Sequence, residues 1–233
     1  WKCLNDLKTI APRLLSLQAL GYPTHMSTRF FTNGQQNTLL EKFAGIFKHN
    51  PDIVQFDALV GYLRASGYFA IRPHLNKVPV VRILVGIDVD EIVESYNKKG
   101  RLFLADAGQA VTEFRKKLDE DIQEAAYSSE VEAGVRQFVE DVATKKIEIR
   151  AHPTKRLHAK IYIFVPEGFN EHKPGAVITG SSNLTAAGLG VEERALNYEF
   201  NVLLHQYDDV CFAKNEFDTL WEEGVHILPK VIN

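Results

Sequence analysis

The stretch Arg156-Leu157-His158-Ala159-Lys160-Ile161-Tyr162-Ile163-Phe164 sets an imidazole and an ammonium two residues apart. On an extended chain that spacing places both on one face with Tyr162, while Leu157, Ala159, Ile161 and Ile163 take the other. Two groups that can both carry positive charge repel unless an anion lies between them. Sixteen residues after Phe164, the apolar run Ala176-Val177-Ile178-Thr179 has broken into Gly180-Ser181-Ser182-Asn183. The hydroxyls, amide and backbone N–H groups of such a turn are the donors that phosphate oxygens accept from. Read together, the two segments describe a phosphate site with its own nucleophile. His158 suits that part, because histidine near pH 7 can be a neutral nucleophile or a protonated acid.

The arrangement His158-x-Lys160 followed by Gly180-Ser181-x-Asn183 resembles the signature of the phospholipase D superfamily. It departs from the family at one place: the aspartate usual seven residues after the histidine is Val165 here. A further match lies in Leu196-Asn197-Tyr198-Glu199-Phe200-Asn201-Val202-Leu203-Leu204, a predicted strand with Asn197, Glu199 and Asn201 on one face. Family members carry a glutamate at such a place, bonded to the histidine.

The resemblance covers residues 156–204 and implies roles for them. His158 is the nucleophile, and Glu199 holds its other N–H. Lys160, Asn183 and Ser181 stabilise charge on the phosphoryl oxygens, with Gly180, Ser182 and Arg156 contributing to binding. The family's chemistry needs a second histidine to protonate the leaving oxygen, and this chain has a single signature. The resemblance therefore implies a two-fold homodimer and a reaction using no metal or other cofactor. Domains of this kind occur at the head of restriction and Swi/Snf-type helicase polypeptides, so a helicase or ATPase region in the same polypeptide is an expected partner.

The elements that must position these residues are legible as an alternation of apolar runs and amphipathic segments. Residues 4–20 read as a helix interrupted by Pro12, 29–31 as an edge strand, and 32–34 as a turn. Asn37-Thr38 can cap a helix running through Phe47. The runs 53–63 and 79–86 read as buried strands joined by a helix over 68–77, a βαβ unit with a parallel pair. In such sheets ligands gather at the carboxyl ends of strands, which adds Arg64 and Ser66 as substrate-binding candidates beside Gly67. Helices are expected over 90–99, over 109–145 with a break near 127–129, and over 209–222, where Val210, Phe212, Phe217, Leu220 and Trp221 form the apolar side. The fold class expected is α/β: one domain over 1–233 with a mixed, largely parallel sheet sandwiched between helices.

Composition sets the outer bounds. A chain of 233 residues with 45% apolar content can bury a large core, and a net charge of −3 gives no overall nucleic-acid signature. Two cysteines are too few for a disulfide framework and point to a cytoplasmic setting; no run is long enough for a membrane span. The first residue is Trp1 and the last are Lys230-Val231-Ile232-Asn233, as expected of a fragment of a longer polypeptide. The most basic stretch runs from Lys145 to Lys160, with Lys146, Arg150, Lys155 and Arg156 between them against Glu148 alone. It predicts a local funnel for a phosphodiester backbone. No Cys/His/Asp cluster has metal-ligand spacing. Two functions remain: a metal-independent phosphodiesterase acting on nucleic acid, DNA above all, or a non-catalytic module that docks DNA or dimerises within a larger machine.

Overall fold

Phe56, Ala58, Val60, Val81, Ile83 and Val85 make one face of Ile53–Val60 (β2) and Val80–Val85 (β3) wholly apolar, and Leu59 and Leu84 share the other with an Asp57–Arg82 pair, as strands covered on both sides allow. The two strands pair in parallel, which places the expected βαβ unit at the centre of the sheet. The structure, a computed structural model, describes residues 28–33, 37–86, 137–152 apart from 139, 154–155, 157–191 and 197–226. The helices expected over 4–20 and 90–99, most of that over 109–145, and Arg156 lie outside the described residues.

The other strands are Phe30–Thr32 (β1), Ile147–Ala151 (β4), Lys160–Pro166 (β5), Ala176–Gly180 (β6), Phe200–Leu204 (β7) and Val225–His226 (β8). They form one sheet in the order β1-β7-β6-β5-β2-β3-β4-β8. The sheet is mixed, as expected, with parallel pairing confined to β2–β3 and β3–β4. The neighbours on either side pair antiparallel: β5 with β2, β6 with β5 and β7 with β6 on one flank, and β8 with β4 on the other.

Helices cover both faces. On one side lie Leu39–His49 (α1), Ala65–Ile71 (α2), which continues as a 3₁₀ turn over Arg72–Leu75, and Ala186–Leu189 (α3). Thr38 caps α1 by accepting from the Glu41 N–H while Glu41 returns a bond to the Thr38 N–H. Phe43 then packs edge-on against Phe56, Tyr162 and Phe164. Burying each such ring stabilises the fold by roughly 1.5–3 kcal/mol. On the other side Tyr207–Glu223 (α4) lays Val210, Phe217 and Trp221 on Leu59, Leu84, Ile163, Val165 and Val177. Phe212, expected in that apolar side, is 69% exposed. Two residues advance a helix by about 200°, so Phe212 falls opposite Val210.

Each layer holds a buried ionic group. Against α2, Asp141 accepts from the Tyr68 hydroxyl at 2.6 Å and from Arg72 Nε at 3.0 Å. Burial works against its charge, but the bonds from Arg72, Tyr68 and Gln137 outweigh it and hold the carboxyl below its ordinary value. Under α4, Arg82 takes Asp57 in a two-pronged pair, both bonds 2.7 Å, and reaches Asp218 at 2.7 Å. The same guanidinium lies over the rings of Phe217 and Trp221.

Candidate active site

The carboxyl ends of β2, β3 and β4 meet the start of β5, the end of β6 and the start of β7 at one edge of the molecule. His158 and Lys160 come from the start of β5, residues 180–183 from the end of β6, and Glu199 from just before β7. The strand expected from 156 begins at Lys160 instead. Its ladder with β2 ends at Val60↔Lys160, and the chain before it crosses the strand ends, with the Leu157 carbonyl against Gly61 and Gly86. A Cβ on Gly86 would overlap that carbonyl, so the close crossing requires glycine there. The alternation still holds: Lys160, Tyr162 and Phe164 face the α1–α2 layer, and Leu157, Ala159, Ile161 and Ile163 face α4.

His158 is exposed, whereas Lys160 is only 6% exposed. Lys160 Nζ stands 3.0 Å from His158 Nε2 and 2.9 Å from the His158 carbonyl. An ammonium has only hydrogens to offer, so Nε2 accepts and the ring proton sits on Nδ1. Burial pushes the Lys160 ammonium below its ordinary value, and the charge of Glu199 partly opposes that shift.

Below them a hydrogen-bond network fixes the turn. Tyr162 donates its hydroxyl to the Ser182 carbonyl at 2.8 Å. Ser182 is fully buried; its Oγ accepts from Asn201 Nδ2 at 2.9 Å and donates to Glu199 at 3.4 Å. Ser181 donates to the same Glu199 oxygen and accepts the Phe200 N–H at 3.0 Å. Among the described residues, Glu199 is therefore held by Ser181 and Ser182. The β6–β7 register pairs Gly180 with Asn201, so the donors nearest to Glu199 are the serine hydroxyls. Both serine hydroxyls thus donate to Glu199 from the turn after β6. Gly180 serves close packing too, since a Cβ there would overlap Asn201 and the Phe200 carbonyl.

Asn183 is pinned from two sides. Its Oδ1 accepts the Tyr62 N–H at 3.0 Å, and its carbonyl accepts the Thr185 N–H at 2.9 Å. The amide NH₂ is thereby left as its donor. Leu63 bridges Leu184, and Arg64 donates its N–H to the Leu184 carbonyl at 3.1 Å, which draws the loop after β2 against the turn after β6. Tyr62, Arg64, Ser66, Asn183, Asn197 and Glu199 consequently line one cleft of about 320 Å³, floored by the first turn of α3. Arg64 and Ser66 are thus where the strand-end rule placed them. The Arg64 guanidinium lies 5.3 Å from the Tyr62 ring centroid.

Asn33 had no part in the sequence reading of the site. Asn33 donates to the Asn197 carbonyl at 2.8 Å and accepts the Glu199 N–H at 3.1 Å, clamping the backbone that carries the carboxylate. No local pattern announces a bond between residues so far apart in the chain.

Among the described residues of the basic stretch, Lys160 stands at the site and the other lysines and arginines lie elsewhere or are paired. Lys145 and Lys146 precede β4, about 17 Å of strand away from the site end. Arg150 is tied to Glu148 and the Trp221 carbonyl and stacks on the Trp221 ring, while Lys155 pairs with Glu223 at 2.6 Å. Position 165 also lies apart from the site: Val165 is buried against the α4 side near the far end of β5. The position of the missing aspartate is therefore remote from His158, Lys160 and Asn183. No group of His, Cys, Asp or Glu among the described residues is arranged to hold a metal ion.

The chain is similar to several known proteins. The fold is similar to phosphatidylserine synthase from Haemophilus influenzae, with a TM-score of 0.52 and 12% identity over 86% of this chain and 40% of that one. Nuc, a phospholipase D family member from Salmonella typhimurium, matches at a TM-score of 0.46 and 12% identity over 84% of this chain and 95% of its own. NucT from Helicobacter pylori matches at 0.41 and 9% identity, covering 81% and 90%. No curated protein matches the sequence significantly. Residues 82–221 match the family described as cardiolipin synthase, phospholipase D-like domain. That match spans more than half of the sequence and takes in the His158–Lys160 pair, the Gly180–Asn183 turn and Glu199, so the chain belongs to the phospholipase D superfamily.

Proposed function

We propose that this chain is a phosphodiesterase that cleaves nucleic acid, DNA in the first instance, through a phosphohistidine and as a two-fold dimer. The observation that carries the reading is the 3.0 Å contact between Lys160 Nζ and His158 Nε2 at the strand ends. It sets the imidazole nitrogen beside a cation, so a phosphate entering between them takes the ammonium and meets Nε2.

In the first step Nε2 bonds to phosphorus and the P–O bond to the leaving group breaks. Lys160 and the Asn183 amide stabilise the charge gathering on the phosphoryl oxygens. The departing oxygen takes a proton from the partner's His158, an assistance typically worth about 10² to 10⁴ in rate. In the second step water attacks phosphorus, gives its proton to that same partner imidazole, and the N–P bond breaks.

Three of the described histidines are placed away from the role of acid. His152 is buried against Glu223, His74 stacks on Phe47, and His205 follows the far end of β7. A second copy across a two-fold axis supplies the acid. The cleft supports nucleic acid over lipid: Tyr62, Arg64, Ser66, Asn183, Asn197 and Glu199 make its walls polar around a short floor of small residues, too little apolar surface for an acyl chain.

The test is an assay of purified protein on DNA and on a simple nitrophenyl phosphodiester with EDTA in excess. Cleavage that persists supports the reading. Cleavage lost on chelation and restored by magnesium or zinc contradicts it.

A further inference from the structure

We propose that the cleft beside the signature is a nucleobase subsite: Tyr62 and Arg64 form a stacking wall for an unpaired base next to the scissile phosphate. The inference rests on the phosphodiesterase reading and names the part of the substrate that reading leaves open.

The wall is a layered one. The guanidinium of Arg64 lies 5.3 Å from the Tyr62 ring centroid, and both residues are exposed and line the cleft. A flat cation laid on an aromatic ring continues that ring as a stacking surface, and it also carries charge of the sign a nucleotide's phosphate needs. The layer is joined to the reacting group through the backbone. The Tyr62 N–H holds Asn183 Oδ1 at 3.0 Å, and the His158 ring packs beside the neighbouring Gly61, where a Cβ would meet His158 Cδ2 at 3.4 Å. A phosphate on His158 therefore lies one residue's reach from the stack.

The rest of the cleft fits a base. Its floor is Ala186, Ala187 and Gly188, small enough to leave a slot, and Gly188 also closes on the Asn183 carbonyl. Ser66 and Asn197 add a hydroxyl and an amide, groups that both donate and accept and so can bond the edge of any base. The volume of about 320 Å³ lies at the small end of ligand pockets, suited to one ring system and its sugar.

Two consequences follow from the chemistry. A base inside a duplex is stacked on both sides and paired at its edge, so it reaches a lateral cleft only by leaving the helix. Unpaired strands are therefore the preferred substrates. A stacking wall with versatile polar rims also discriminates weakly among the four bases.

The experiment uses single-stranded oligonucleotides in which one nucleotide beside a single labelled phosphate is replaced by an abasic spacer. Cleavage at that phosphate by the wild-type protein is expected to fall about 5- to 150-fold, the range of one base–aromatic stack. Tyr62→Ala and Arg64→Ala should cleave the intact and abasic strands alike, and Tyr62→Phe should keep most of the difference. Ala187→Trp, which fills the slot from the floor, should erase it without touching the wall. Equal cleavage of both strands by the wild type, or an undiminished difference in Tyr62→Ala and Ala187→Trp, would overturn the inference. The same comparison is read as binding, by anisotropy of labelled strands on His158→Ala protein. If the wild type cleaves no phosphodiester, the functional reading fails by itself. The anisotropy ratio still decides whether the cleft holds a base: equal affinity for intact and abasic strands overturns the subsite, and weaker affinity for the abasic strand supports it.

Discussion

Two clusters of charge, on opposite faces of the same sheet, are built to opposite rules. Under α4, Arg82 has a carboxylate on either side, Asp57 and Asp218, and Lys214 in turn bonds Asp218. At the strand ends, two groups that can both be cations face each other, and the nearby carboxylate is given to serine hydroxyls. The first cluster is closed: every charge meets its opposite inside the protein, and nothing from outside is needed. The second is short of an anion. In sequence Arg82, Arg150 and Lys155 look no different from Lys160; what separates structure from function is whether the partners are already present.

The sharpest way to break the comparison is to remove one member of each cluster. His158→Ala should lose turnover by on the order of 10⁴-fold or more, while costing at most about 1 kcal/mol of stability, because the ring is exposed. Rates on a nitrophenyl phosphodiester beside a urea titration test both halves. A mixed dimer of wild-type and His158→Ala subunits should be nearly inactive, since each composite site needs both histidines. A mixed dimer at half the wild-type rate would show that each subunit works alone. Asp57→Ala should do the reverse. It leaves buried Arg82 with Asp218 as its remaining carboxylate and should cost about 3 kcal/mol in the urea titration, with the folded fraction turning over normally.

Smaller effects sharpen the contrast within the site. Asn33→Ala removes both bonds to the 197–199 backbone and loosens Glu199 without touching substrate. Turnover should fall roughly 10-fold with KM nearly unchanged, the pattern of a group acting only in the transition state. The pH profile gives the finest test. Because burial sets the Lys160 ammonium below its ordinary 10.5, its charge is lost as pH rises through that lowered value. The alkaline limb of turnover should therefore lie below 10.5, and Lys160→Arg should abolish that limb in whatever activity remains.

How much of this was legible in the sequence follows from the reach of each interaction. Alternation and apolar runs announced β2, β3, β5 and α4, because the two-residue and 3.6-residue periods are local. The parallel pair and the strand-end position of Arg64 and Ser66 followed from connection rules. Residues 157–159 read as strand because their alternation continues; only the ladder with β2, ending at Val60, shows that they have left it. The pairing of Glu199 depended on the β6–β7 register, and the clamp by Asn33 on a bond across more than half the chain. In the basic stretch, sequence proximity says nothing of which end of a strand a charge occupies, or of the carboxylate awaiting it.

The central claim, that His158 attacks phosphorus, is tested most directly by rapid acid-free quenching of a turnover mixture. The oligonucleotide carries its radiolabel at the scissile phosphate. The account predicts label bound to wild-type protein, stable in alkali and released by mild acid as a phosphoramidate is, and absent from His158→Ala. Continuing cleavage with no protein-bound label at any time, or label retained in His158→Ala, would contradict it.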